Sequence, residues 1–191
     1  MRTSIARVLA IGSALGLLAM VPQTAAAAGT DVRSVPTVQA ETADTALLHR
    51  QADSAAELQD QIDLHLQQAP GGRQTAPNEI TYGDDTFVVT YAMPNQRLLA
   101  SPDCENGWFC FYDGGAYGYP RGKLSDCGFQ DLGDFGWSDR TSSVDNGTSS
   151  NVRYYNHRDS GDEYMFTNNA GQHGRLSSEY TNRADHVVRV C

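Results

Sequence analysis

Residues 111–144 and 154–187 align with one another at a single constant offset of 43 positions. Each unit opens on an aromatic segment, Phe111-Tyr112-Asp113 against Tyr154-Tyr155-Asn156. Each closes in a polar loop, Ser138-Asp139-Arg140-Thr141-Ser142-Ser143-Val144 against Thr181-Asn182-Arg183-Ala184-Asp185-His186-Val187. A repeat of this length is one supersecondary motif that cannot bury its apolar face alone, so its twin must cover it. The alignment predicts that Phe111 occupies the place of Tyr154 and Val144 that of Val187. Glycines and aromatics punctuate the chain every few residues after Cys104, the texture of short antiparallel strands in a sandwich or barrel. The expected core takes Phe109, Phe111, Phe129, Leu132, Phe135 and Val144 from the first unit. From the second it takes Val152, Tyr154, Phe166, Val187, Val188 and Val190. Trp108 and Trp137 fit either the core or a contact surface.

The region before the repeat reads differently. Residues 1–28 have the form of a signal peptide: Arg2 and Arg7, an apolar run from Val8 to Val21, then Ala25-Ala26-Ala27-Ala28. The run is short for a membrane-spanning helix, and the alanine-rich end favours cleavage over an uncleaved anchor. Residues 29–102 form a leader. Leu48, Ala52, Ala55, Leu58, Ile62 and Leu66 recur at helical spacing until Pro70-Gly71-Gly72. Ile80-Thr81-Tyr82 and Thr86 to Tyr91 flank a Gly83-Asp84-Asp85 turn as a β-hairpin. Helix and hairpin alone are too small for a core. They are expected to dock on the following domain, to tether it, or to be removed as a pro-segment.

Without Arg2 and Arg7, 12 of the 14 basic residues stand against 23 acidic ones, a balance of −11. Nucleic acid is therefore an unfavourable partner, and basic proteins or cations are favourable ones. Four cysteines, Cys104, Cys110, Cys127 and Cys191, fit no standard zinc spacing and predict two disulfides in an exported chain. Of the three pairings, Cys104–Cys110 as a local clasp and Cys127–Cys191 as a long-range tie are the preferred ones.

The Phe111-Tyr112-Asp113 segment, Tyr117 five residues after Tyr112, and the Ser142-Ser143-Val144 close resemble one Greek-key motif of the βγ-crystallin fold. The run Gly107 to Tyr112, then Asp126-Cys127-Gly128 and Asp139 to Ser143, is similar to exported actinobacterial proteins grouped with the metallopeptidase-inhibitor family of that fold. The resemblance covers 103–191 and implies an all-β sandwich of two Greek-key motifs. It also implies a calcium motif, which Ser138 to Ser143 matches at every fixed position but the first. Thr181 to His186 keeps only the second, with Asp185 as an acidic oxygen at the fifth. Asp139, Ser142, Asn182 and Asp185 are the calcium ligands so implied. The same side chains also suit plain turn capping, and both readings stay open.

No catalytic pattern appears. The histidines His157, His173 and His186 have no metal-site spacing, and Ser142-Ser143 has no partnered histidine. The resemblance thus points to a non-enzymatic, secreted, monomeric inhibitor of an extracellular peptidase, working through a rigid disulfide-clamped loop. No inhibitory loop is assignable residue by residue. The polar stretches around Asn146-Gly147-Thr148 and Asp159-Ser160-Gly161 are candidates. The alternative is a calcium-stabilised binding module for cell wall, polysaccharide or a partner protein, with no membrane insertion once the signal is cleaved.

Overall fold

The computed structural model describes residues 44–97 and 100–191, all within one compact unit. The signal segment lies outside the described residues, as does the leader before residue 44. Helix α1 spans Ala55–Gln68. Eleven strands follow: β1 Arg73–Ala76, β2 Glu79–Tyr82, β3 Phe87–Thr90, β4 Phe109–Gly114, β5 Gly118–Leu124, β6 Gly128–Asp131, β7 Ser143–Asn146, β8 Val152–Asn156, β9 Glu163–Asn168, β10 His173–Arg175 and β11 His186–Arg189.

The helical periodicity starting at Leu48 is broken before α1. Ser54 adopts extended backbone, and its hydroxyl accepts the Glu57 N–H. The Glu57 carboxylate accepts the Asp53 N–H in return. This reciprocal cap satisfies donors that a helix start leaves open, so the helix begins there and not at Leu48. Its buried face carries Leu58, Gln61, Ile62 and His65.

All strand pairs are antiparallel. One sheet runs β1-β2-β3-β5-β4-β7-β10 and the other β6-β11-β8-β9. The repeat is visible in the register. Phe111 pairs with Val144 in the first sheet, and Tyr154 pairs with Val187 in the second. The third strand of each unit crosses over: β6 joins β11 in the second sheet, and β10 joins β7 in the first. Each sheet thus borrows an edge from the other unit, so neither unit closes its sheet without its twin. Loop contacts obey the same symmetry. The Asp139 N–H donates to the Ala184 carbonyl and the Asn182 N–H to Thr141; the Ser142 N–H donates to Tyr112 and the Asp185 N–H to Tyr155.

The leader hairpin extends the first sheet, with Phe87 to Thr90 paired to Leu124 to Arg121 of β5. Phe87, Phe111 and Trp137 are fully buried, and Phe87 stacks on Phe135 at 4.1 Å. Each such ring contributes about 1.5–3 kcal/mol by leaving water. At Gly122 a Cβ would stand 2.2 Å from the Phe111 ring, so glycine there makes room for the aromatic across the strand. Phe129 and Val190, expected in the core, are instead 59% and 45% exposed. Phe129 falls on the solvent side of β6 because β6 alternates at the edge of the second sheet. Among the described residues no helix is long and apolar enough to cross a membrane.

Candidate functional site

Cys104 bonds Cys110, and Cys127 bonds Cys191 across a separation of 64 residues. The first bond closes a small ring at the start of β4. Its tip, Glu105-Asn106-Gly107, is exposed, and Trp108 is half-buried. The backbone is fixed on both flanks. Trp108 N–H donates to the Glu105 carbonyl (3.1 Å), and Gly107 N–H to the Gly147 carbonyl (2.8 Å). The Cys104 N–H donates to the Asp145 carboxylate at 3.0 Å. Gly107 itself has φ of 88°, which favours glycine at the turn.

Strands β4 and β5 supply the floor under the ring. Tyr112 and Tyr119 donate their hydroxyls to the two oxygens of Asp103 at 2.8 and 2.6 Å. Arg121, nearly buried, donates to the Asp103 carbonyl and lies 3.4 Å from Glu105. Lys123 Nζ reaches Glu105 at 3.0 Å and sits 4.7 Å from the Trp108 ring centroid. Burial alone would raise the Asp103 carboxyl. The Tyr119 and Tyr112 hydrogen bonds and the Arg121 charge outweigh it and hold the group below the usual carboxylate range. Glu105 is likewise lowered against burial, by Lys123, by its own backbone and by Arg121. Tyr112 and Tyr119 are pushed up, by burial first. The tip therefore carries a fixed carboxylate on a backbone closed covalently and pinned from beneath.

The segment Asn146-Gly147-Thr148 does not protrude. Asn146 and Thr148 are buried, and the Asn146 carboxamide bonds inward to Ser150 O, Asn168 O and the Thr148 hydroxyl. It lies beneath the disulfide ring: a Cβ on Gly147 would stand 2.6 Å from the Glu105 carbonyl oxygen. Residues 159–161, by contrast, are exposed in the β8–β9 turn.

The implied calcium ligands fall on two loops that the pseudo-twofold brings together. Asp139 and Asn182 occupy equivalent left-handed positions, with φ of 59° and 53°. The Ser142 hydroxyl donates to Asn182 Oδ1 at 2.7 Å, which closes one half of the arrangement. The other half holds Asp139 and Asp185. Burial and then the Asp185 charge raise the Asp139 carboxyl, with Arg183 opposing. The Asp185 carboxylate also accepts the His157 N–H at 2.7 Å. Among the described residues only Cys104, Glu105 and Cys110 form a group of three His, Cys, Asp or Glu whose ligand atoms lie within 4.8 Å of one another, and two of these are spent in the disulfide.

The histidines separate by role. His65 is buried between the Tyr91 hydroxyl and the Phe135 carbonyl, each at 2.8 Å. Burial first, and the Arg140 charge second, lower its pKa to about 4. His49 meets Asp113 at 2.7 Å, and Asp113 also holds the buried Arg140. Arg140 in turn donates to the Leu48 carbonyl, so this network ties the leader to the repeat. His173 packs by Tyr117, whereas His157 and His186 converge on Asp162. Nothing in the linear spacing signals that pair, because cross-strand register creates it. Compared with known proteins, the chain matches no family model, no curated protein and no solved structure.

Proposed function

We propose that the chain is a secreted inhibitor of an extracellular peptidase, presenting the Cys104–Cys110 ring as its contact loop. The observation that carries the reading is the ring itself. Its exposed tip is closed by a disulfide, bonded through its backbone to Gly147 and supported by Arg121 and Lys123. A loop already ordered forgoes the cost of roughly 0.5–1.5 kcal/mol per immobilised side chain on binding. Residues so constrained also resist the conformational change that cleavage requires. The resemblance to the metallopeptidase-inhibitor family suggests a metallopeptidase as the target. The crossing of β6 and β10 between sheets supports two Greek-key motifs in a βγ-crystallin-like sandwich. Both disulfides suit an oxidising, extracellular setting. Titration against thermolysin-like, trypsin-like and subtilisin-like peptidases tests the function: one should lose activity at stoichiometric ratio, and full activity of all three rejects the reading.

Asp139 and Asp185, coupled through the charge of the second on the first, favour a second reading, a calcium-stabilised binding module. They would hold the ion, with backbone carbonyls and water completing the shell. Asn182 and Ser142 already satisfy one another. Equal melting temperatures in calcium and in chelator reject it.

A further inference from the structure

One inward position of the first sheet is left without a side chain. Gly174 of β10 pairs with Val144, whose side chain is buried, and residues directly opposite in a ladder share a face. Gly174 therefore looks into the sandwich, and a Cβ there would meet nothing within 4 Å. The space is part of a cleft of about 190 Å³ between β10 of the first sheet and β9 of the second, with Val144, Phe166 and Leu176 as its apolar lining. Asn168 of β9 also lines it. That residue is only 5% exposed, and its Nδ2 has no hydrogen-bond partner. A buried donor left unpaired costs stability, which an acceptor brought into the cleft would restore.

The backbone beside the cleft is open as well. Strand β10 ends its sheet, with β7 as its one neighbour among the described residues. The Asn146 N–H donates to the Gln172 carbonyl and the Leu176 N–H to the Ser142 carbonyl, so the even-numbered residues face β7. An antiparallel ladder alternates, and the N–H and C=O groups of His173 and Arg175 therefore point away from β7, where no partner meets them among the described residues. Both side chains are exposed, on the face opposite to the cleft, and Arg175 forms no ion pair among the described residues.

We infer that the free edge of β10 receives an extended segment of a protein partner as an added antiparallel strand, which seats an apolar side chain in the space that Gly174 leaves. Strand addition takes its affinity from main-chain hydrogen bonds and its specificity from pockets for alternate side chains. Both parts are present here: four outward backbone groups on His173 and Arg175, and one apolar cleft at the residue between them. The register follows. The residue opposite Gly174 turns its side chain into the cleft, and its neighbours bond to His173 and Arg175 with their side chains on the outer face. An acidic residue opposite Arg175 would give that cation a partner. The inference does not depend on the peptidase reading, which rests on the Cys104–Cys110 ring.

The test is an NMR titration of the protein with the blocked peptide acetyl-Ser-Glu-Val-Thr-Ser-amide, following the backbone amides of His173 and Arg175 and the Asn168 carboxamide. All three signals should shift, with a dissociation constant on the order of 1 mM. Two counterparts should bind at least about tenfold more weakly: one with serine for the valine, and one N-methylated at the residues flanking it. On the protein, Gly174→Val fills the cleft with a residue that suits a strand, so it should keep the parent's melting temperature and lose binding to the same extent. Arg175→Pro deletes an outward N–H without breaking a bond to β7, and should weaken binding in the same way. The inference is overturned by silent signals up to about 10 mM peptide, by equal binding of the serine or N-methylated counterpart, or by binding that survives either protein variant. Concentration-dependent shifts of the same amides without peptide would mean that a second copy of the chain covers the edge, and would overturn the assignment to a foreign strand.

Discussion

Gly147→Ala places one methyl group where the structure has no room for it. The added Cβ would stand 2.6 Å from the Glu105 carbonyl oxygen and 3.1 Å from that of Trp108. Both are backbone atoms of the disulfide ring, so no side-chain rotation relieves the contact. The ring must lift, and the bond from Gly107 N–H to the Gly147 carbonyl is lost as it does. Overpacking of this kind costs about 1–3 kcal/mol, and the lost hydrogen bond adds about 1 kcal/mol. For a chain of this size each kcal/mol lowers the melting temperature by about 2–4 °C, so a fall of roughly 4–16 °C is expected. Calorimetry gives the fall, and amide hydrogen exchange should show faster exchange at Gly107. Inhibition should weaken as well, although residue 147 lies outside the proposed contact. A melting temperature within about 1 °C of the parent, with Gly107 still protected, would refute the packing argument.

Three further outcomes follow from the same structure. His65 has a folded pKa of about 4 against an ordinary 6.5, so the unfolded chain binds the extra proton between those values. The stability it protects is complete above pH 6.5 and is lost as pH falls through 4, by about 3 kcal/mol. His65→Gln should remove that slope from denaturant midpoints measured across the window, and an unchanged slope contradicts it. Replacing Cys127 and Cys191 by alanine opens a loop with a separation of 64 residues and should cost about 4 kcal/mol in urea unfolding. Asp139 has a raised folded pKa, so its ionisation opposes folding as pH rises through that value. Asp139→Asn tolerates the left-handed backbone and should raise the melting temperature at pH 7 in chelator. It should also abolish any rise with calcium; a lower melting temperature in chelator contradicts the repulsion.

The repeat was the most legible feature of the sequence, because equivalent positions must meet equivalent partners: Phe111 with Val144, Tyr154 with Val187. The exchange of β6 and β10 was not legible, since local pattern does not say which sheet a strand joins. Strand β1 escaped notice because Arg73-Gln74-Thr75-Ala76 has no apolar alternation; it is an exposed edge held by pairing to β2. The helix start was written in the sequence as Ser54-x-x-Glu57, and apolar periodicity running through from Leu48 obscured it. The cysteines indicated a clamped loop. The support of that loop by Tyr112, Tyr119, Arg121 and Lys123 arises only when β4 and β5 pair. Likewise, Asn146 and Thr148 looked like a surface loop by composition, yet their polar groups are satisfied by bonding inward.

The claim that the ring is the contact loop, held ready by its disulfide, is tested most directly by opening it. Cys104 and Cys110 replaced together by alanine should cost about 2 kcal/mol of stability, which leaves the remaining sheet contacts and the Cys127–Cys191 bond to hold the fold. The measurement is the inhibition constant of the parent and of this variant against whichever peptidase the parent inhibits, at a temperature where circular dichroism shows both folded. Ordering Glu105, Asn106 and Trp108 on binding should then weaken inhibition by at least about tenfold. Equal inhibition constants would contradict the account, because the peptidase would then be recognising some other surface.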